Sequence, residues 1–152
     1  MNPTSVLRRS AWLAWLLLIV SGGGLALMIG DNDPPFRLIG YTVEPVRPGG
    51  VLRVTADVQR DLDRECSVVF SRHMFDSLGT RIDLAGTRNM TADAIRDLDK
   101  ATPGKLRLAI PIPEYVAAGP ARLVTPLSYQ CNAWHAMRPI ETTTVVVFEV
   151  SP

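Results

Sequence analysis

Cys66, His73, Cys131 and His135 are the side chains of this 152-residue sequence best suited to holding a metal or being oxidised, and it has only these two cysteines and two histidines. The stretch LSYQCNAWHAMRPI, residues 127–140, gathers Cys131, Trp134 and His135 within five positions. Three kinds of chemistry are open to such a set. Thiolates and imidazoles can hold zinc, the two cysteines can be oxidised to a disulfide, or the thiols can pack as small apolar groups. Structural zinc asks for four tetrahedral ligands, usually in closely spaced pairs. Here His73 lies seven residues after Cys66 and His135 four after Cys131, and neither a CxxC nor an HxxH pair occurs. The spacing gives zinc little support, and no metal or cofactor is expected. The other two readings depend on the compartment and on the elements that carry the cysteines.

Further constellations are sparse. DVQRDLDRE, residues 57–65, supplies Asp57, Asp61, Asp63 and Glu65, and carboxylates at alternate positions can chelate calcium. Arg60 and Arg64 sit among them and the glycine of an EF-hand turn is absent, so a solvated loop with internal ion pairs is expected. Asn89-Met90-Thr91 fits the glycosylation sequon, which has meaning only in a eukaryotic secretory pathway. No GxSxG, P-loop or dinucleotide fingerprint appears, and no stretch nominates a catalytic residue. An exported hydrolase would need His73 or His135 within hydrogen-bond reach of carboxylates in a pocket. Both histidines are instead expected at the surface, His73 on the outer face of a strand and His135 in a loop. Trp, Met and Arg are favoured in binding patches. Trp134, His135, Met137 and Arg138 therefore form a candidate contact loop, with Phe36 as a further apolar candidate. The competing role for Trp134 is to cap the end of the core.

The elements that must position these residues begin with an anchor. Residues 10–29 carry no charge, and as a helix they would reach roughly 30 Å, one hydrocarbon core. Trp12 and Trp15 stand near the start, where amphipathic rings favour the membrane interface. Arg8 and Arg9 precede the run, while Asp31 and Asp33 follow it. The positive-inside rule then keeps residues 1–9 in the cytoplasm and sends the remainder across a bacterial inner membrane into the periplasm. A cleaved signal peptide is the competing reading; the apolar continuation Leu25–Ile29 argues against it. Without Arg8 and Arg9 the balance is 14 basic against 15 acidic residues, which leaves no electrostatic footprint for nucleic acid.

After a stiff spacer at residues 30–35, which contains Pro34 and Pro35, the pattern turns to short alternating segments over residues 36–152. Strands are expected at 36–44, with a bulge at Gly40, and at 51–59, where Leu52, Val54, Ala56 and Val58 share a face. Further strands are expected at 66–75, 80–84, 105–112, 121–131 and 142–150. Residues 89–100 break the rhythm and read as one short helix, capped by Thr91 or Asn89. Pro126 falls inside the sixth strand, which should be bulged or edge-exposed there.

Seven short strands separated by turn residues predict an all-β fold, a β-sandwich. GKLRLAIPIPEYVAAGPARLVTPLSYQC, residues 104–131, makes this more specific. It resembles the E strand, turn and F strand of an immunoglobulin-like domain, closing on Tyr-x-Cys, with Tyr129 in the place of the tyrosine-corner residue. The chain departs from that family in having its first cysteine at the start of strand C and no core tryptophan after it. The whole resembles small signal-anchored immunoglobulin-like proteins of bacteria and their phages. That resemblance makes C and F antiparallel neighbours, with Cys66 opening one and Cys131 closing the other at the same end of the sheet. It thus implies a Cys66–Cys131 disulfide, which an exported domain also favours; two buried thiols stay open as the alternative.

The expectation is a single-pass membrane protein whose exported sandwich acts without catalysis, as a tethered interaction or structural module for an envelope or virion partner. A phage-encoded envelope protein, accessory to lysis, infection or superinfection exclusion, is the runner-up. An exported hydrolase stands third.

Overall fold

The computed structural model describes Trp15, residues 18–24, Ala26 and residues 28–152. The chain divides into two units, Met1–Asp33 and Pro34–Pro152. In the first unit the described residues up to Gly30 are helical, and Trp15, Leu18, Ile19, Val20, Met28 and Ile29 are exposed. No helix among the described residues is long and apolar enough to cross a membrane. Arg8, Arg9 and part of the expected span at residues 10–29 lie outside the described residues.

The second unit is all-β and sandwich-like. In chain order it contains β1 (Phe36–Val43), β2 (Val51–Arg60), β3 (Ser67–Phe75), β4 (Arg81–Met90), α1 (Ala92–Ala101), β5 (Lys105–Pro111), β6 (Gly119–Gln130) and β7 (Ile140–Val150). Every pairing between strands is antiparallel. One sheet has the order β1-β2-β5 and the other β4-β3-β6-β7. Period-2 alternation sets which face is buried. Leu52, Val54, Ala56 and Val58 are buried on β2, and Val68, Phe70 and Met74 on β3. The expected bulge in β1 occurs between Leu38 and Gly40. Beyond β1, Val46 bridges to Val150 in parallel and exchanges backbone hydrogen bonds with Glu149 and Ser151 at 3.1 and 2.8 Å. That contact ties the chain to the β7 side of the second sheet.

One turn rests on residues of special conformation. In Asp76-Ser77-Leu78-Gly79 the Asp76 carboxylate accepts the Leu78 and Thr80 amides at 3.0 and 2.8 Å, and Gly79 takes φ +76°. An L side chain is strained at that φ, so glycine closes the turn. The other carboxylate oxygen accepts the Ala117 amide at 3.4 Å, which joins this turn to the segment entering β6.

Two features differ from the sequence expectation. The fourth strand continues past residue 84 to Met90. Its register against β3 shifts twice, between Phe70 and Arg72 and again between Arg72 and His73, so residues 84–87 lose strict alternation. The sixth strand lies inside its sheet, flanked by β3 and β7, so Pro126 is not at an edge. The ladder to β7 runs unbroken through the Pro126–Thr143 pair, whereas the ladder to β3 has no pairing at Ser71 and Arg72, opposite Pro126 and Thr125. Proline has no amide to donate, and the local opening toward β3 accommodates that.

Candidate binding site: a bridged corner and an apolar cavity

Cys66 precedes β3 and Cys131 follows β6. The terminal pair of the β3–β6 ladder is Ser67 with Gln130, so the cysteines occupy the next register position. They are bridged, with a Cα–Cα distance of 4.0 Å. The bridge therefore lies within one sheet.

Past Cys131 the chain makes a 3-10 turn at Trp134–Ala136. His135 is 0% exposed, which corrects the expectation of a surface histidine. Its Nδ1 accepts the Cys131 amide at 3.3 Å, and its own amide donates to the carbonyl and the side-chain oxygen of Asn132, both at 3.1 Å. The strand ladder stops here, and the imidazole supplies the acceptor that the Cys131 amide would otherwise lack. The Met137 and Arg138 amides both return to the Trp134 carbonyl at 3.0 Å. The candidate contact loop thus splits. His135 is interior, Trp134 is half-buried, and Met137 and Arg138 are exposed, Met137 by 72%.

His73 sits on the outer face of β3, half-buried and edge-on to Phe75, with ring centroids 5.5 Å apart. It lies seven positions along the chain from Cys66, roughly 20 Å at the strand rise. The histidines are therefore not brought together. Among the described residues no group of three or more His, Cys, Asp or Glu is placed to hold a metal. Of the 57–65 carboxylates, Asp57 pairs with Lys105 and Glu65 with Arg96, both at 3.6 Å, while Asp61 accepts the Asp63 amide at 3.3 Å.

Sequence reasoning did not find the second feature. The buried core divides into two clusters. One is built around Leu52, Val54, Met74, Leu123 and Phe148, the other around Val68, Phe70, Tyr129 and Ile140. Between the sheets lies a cavity of about 130 Å³ whose wall draws on both, through Val54, Leu123 and Val146 and through Val68, Phe70 and Tyr129.

Helix α1 stands at this cavity. The side chain of its N-cap, Thr91, accepts the Ala94 amide at 3.4 Å. Ala92, Ile95, Arg96 and Asp99 recur at helical spacing on one partly buried face. Ala92, Ile95, Arg96 and Leu98 line the cavity. An ion pair from Asp99 to Arg60 of β2 fixes the helix, and the Arg60 side chain is only 3% exposed. Arg60 also donates to the Lys105 carbonyl at 2.9 Å. The Asp99 carboxyl lies below the ordinary aspartate range, chiefly because Arg60 donates to it; burial opposes this and the Gly104 amide adds to it.

Two groups on the largely apolar wall stand out. Tyr129 is 2% exposed, yet its hydroxyl has no hydrogen-bond partner among the described residues. Burial pushes that hydroxyl well above the usual phenol range. The Tyr129 hydroxyl thus lacks the hydrogen bond that defines a tyrosine corner. Arg72 has a buried Nε with no partner among the described residues, and its guanidinium stacks 4.9 Å from the Phe70 ring centroid. Burial, and then the nearby Arg88, draw the Arg72 guanidinium below the ordinary arginine range.

Together these features define a class of domain: an all-β, sandwich-like fold bridged within one sheet and hollow between its sheets. No family model matches the chain, and no curated protein matches its sequence.

Proposed function

We propose that the protein is a membrane-tethered module that works outside the cytoplasm without catalysis, presenting an immunoglobulin-like sandwich to a protein partner. The Cys66–Cys131 disulfide is the observation that carries this reading. Disulfides persist in oxidising compartments and are rare in the cytosol. The uncharged residues 10–29 behind Arg8 and Arg9 supply the matching anchor, through the lipid bilayer of a bacterial inner membrane with the N-terminus inside. The strand order supports the immunoglobulin-like reading, because β3 and β6 are antiparallel neighbours, as strands C and F are in that fold. The partner surface we assign is Met137 and Arg138, with Trp134 at its margin; His135 positions their turn.

Thiol trapping in whole cells tests this reading, using an N-terminal tag. The cysteines should label only after reduction, with the tag retained on the full-length band and the C-terminal domain open to protease from the periplasmic side. Free labelling without reductant, or a domain protected in spheroplasts, would overturn it.

A further inference from the structure

We propose that the cavity between the sheets binds a small apolar carboxylate, its hydrocarbon part lying against Leu108, Leu123 and Val146 and its carboxylate accepting from Arg72. This goes beyond the tethered-module reading and does not depend on it.

Size, wall chemistry and charge all lead to this ligand class. A cavity of about 130 Å³ is close to the ~150 Å³ apolar cavity known to take benzene. A single ring or short alkyl group is therefore the right scale for the buried part. The wall is mostly aliphatic, which selects hydrocarbon. Arg72 and Tyr129 line it, and each carries a buried donor without a partner among the described residues, at Nε and Oη. A complementary ligand must then bring acceptors, and only an anion also matches the guanidinium charge. Arg60 and Arg96, which line the same cavity, already have carboxylate partners in Asp99, Asp93 and Glu65. Arg72 has no carboxylate partner among the described residues, although burying an unpaired charge is costly.

Benzoate is the probe, with benzyl alcohol as its uncharged counterpart. The full chain in lipid nanodiscs, labelled at its methionine methyls, is titrated with each. Met90 lines the cavity, exposed Met137 reports non-specific binding, and buried Met74, off the cavity wall, reports that a variant is folded. Benzoate should shift Met90 saturably and leave Met137 unmoved, with at least tenfold tighter binding than the alcohol. Arg72→Gln should reduce benzoate to the level of the alcohol without displacing Met74. Ala56→Phe, which fills the cavity from β2, should abolish both. The proposal fails if benzoate leaves Met90 unmoved. It also fails if Arg72→Gln binds benzoate as wild type does, or if a folded Ala56→Phe still binds it. Should Ala56→Phe not fold, the Arg72→Gln comparison decides alone.

Discussion

Cys66 and Cys131 face each other across β3 and β6, one register step beyond the Ser67–Gln130 pair, and their sulfurs are joined. The bridge closes a loop with a sequence separation of 65. In the chain-entropy model such a closure stabilises by about 4 kcal/mol. The Cys66→Ala/Cys131→Ala double variant should lose roughly that much in urea unfolding, and reductant should destabilise the wild type but not the variant. Equal stability of wild type with and without reductant would contradict the finding.

The turn beyond the bridge depends on a buried imidazole. His135→Ala should destabilise by roughly 1–3 kcal/mol, because the Cys131 amide loses its acceptor. Met137→Ala and Arg138→Ala, on the exposed side of the turn, should stay within about 0.5 kcal/mol. If they do, they are clean variants for a pull-down test of the partner surface. A His135→Ala protein as stable as wild type would return His135 to the surface.

Tyr129 separates two descriptions of the sandwich. In a tyrosine corner the hydroxyl is hydrogen-bonded, and its removal is costly. Here the hydroxyl is buried without a partner among the described residues. Tyr129→Phe should therefore be neutral or stabilising by up to about 1 kcal/mol. Thermal unfolding measures this, and a clear loss of stability would show that the hydroxyl has a partner.

Asp76 makes the fold sensitive to acid. Burial pushes its carboxyl up, but the amides of Thr80, Ala117 and Leu78 outweigh that and leave it below its ordinary value of 3.8. The folded form thus holds its proton less tightly than the unfolded chain. The stabilisation is fully present above that ordinary value and fades as pH falls through the lower folded one. The stability gap between wild type and Asp76→Asn should be widest near neutral pH and narrow below about pH 4. A gap that stays constant down to pH 2 would remove Asp76 as the cause.

The Arg60–Asp99 pair should act as the helix clasp. Asp99→Ala leaves a nearly buried guanidinium with only the Lys105 carbonyl. A cost of about 2 kcal/mol follows from losing a charge-assisted hydrogen bond. Faster hydrogen exchange should appear in Ala92–Ala101 before it appears in β3 or β6. Uniform exchange across all three would show that the helix is held by other contacts.

Most of the strands were legible because alternation is a local signal: Leu52 to Val58 and Val68 to Met74 declare their inner faces by composition alone. The helix after Met90 was legible for the same reason. The remainder needed neighbours. The run of β4 from Ala85 to Met90 is masked by two register shifts that only its pairing with β3 reveals. Pro126 looked like an edge residue, yet the ladder opens around it inside the sheet. His135 reads as an ordinary loop residue until the turn folds its ring onto the amide of Cys131. Arg72 gave no signal, since a charge at an inward position of a strand looks like a break in pattern. Its significance lies in the space beside it.

The bridge ties two strands of the same sheet, and this fixes what it can resist. It locks the shear of β3 against β6 and adds nothing across the gap between the sheets. That gap is spanned by the chain's crossings, by side-chain packing and by the hydrogen bonds that join Val46 to Glu149 and Ser151 and Tyr41 to Val147. Reduction should therefore loosen β3 against β6 and leave the packing between the two layers as it is.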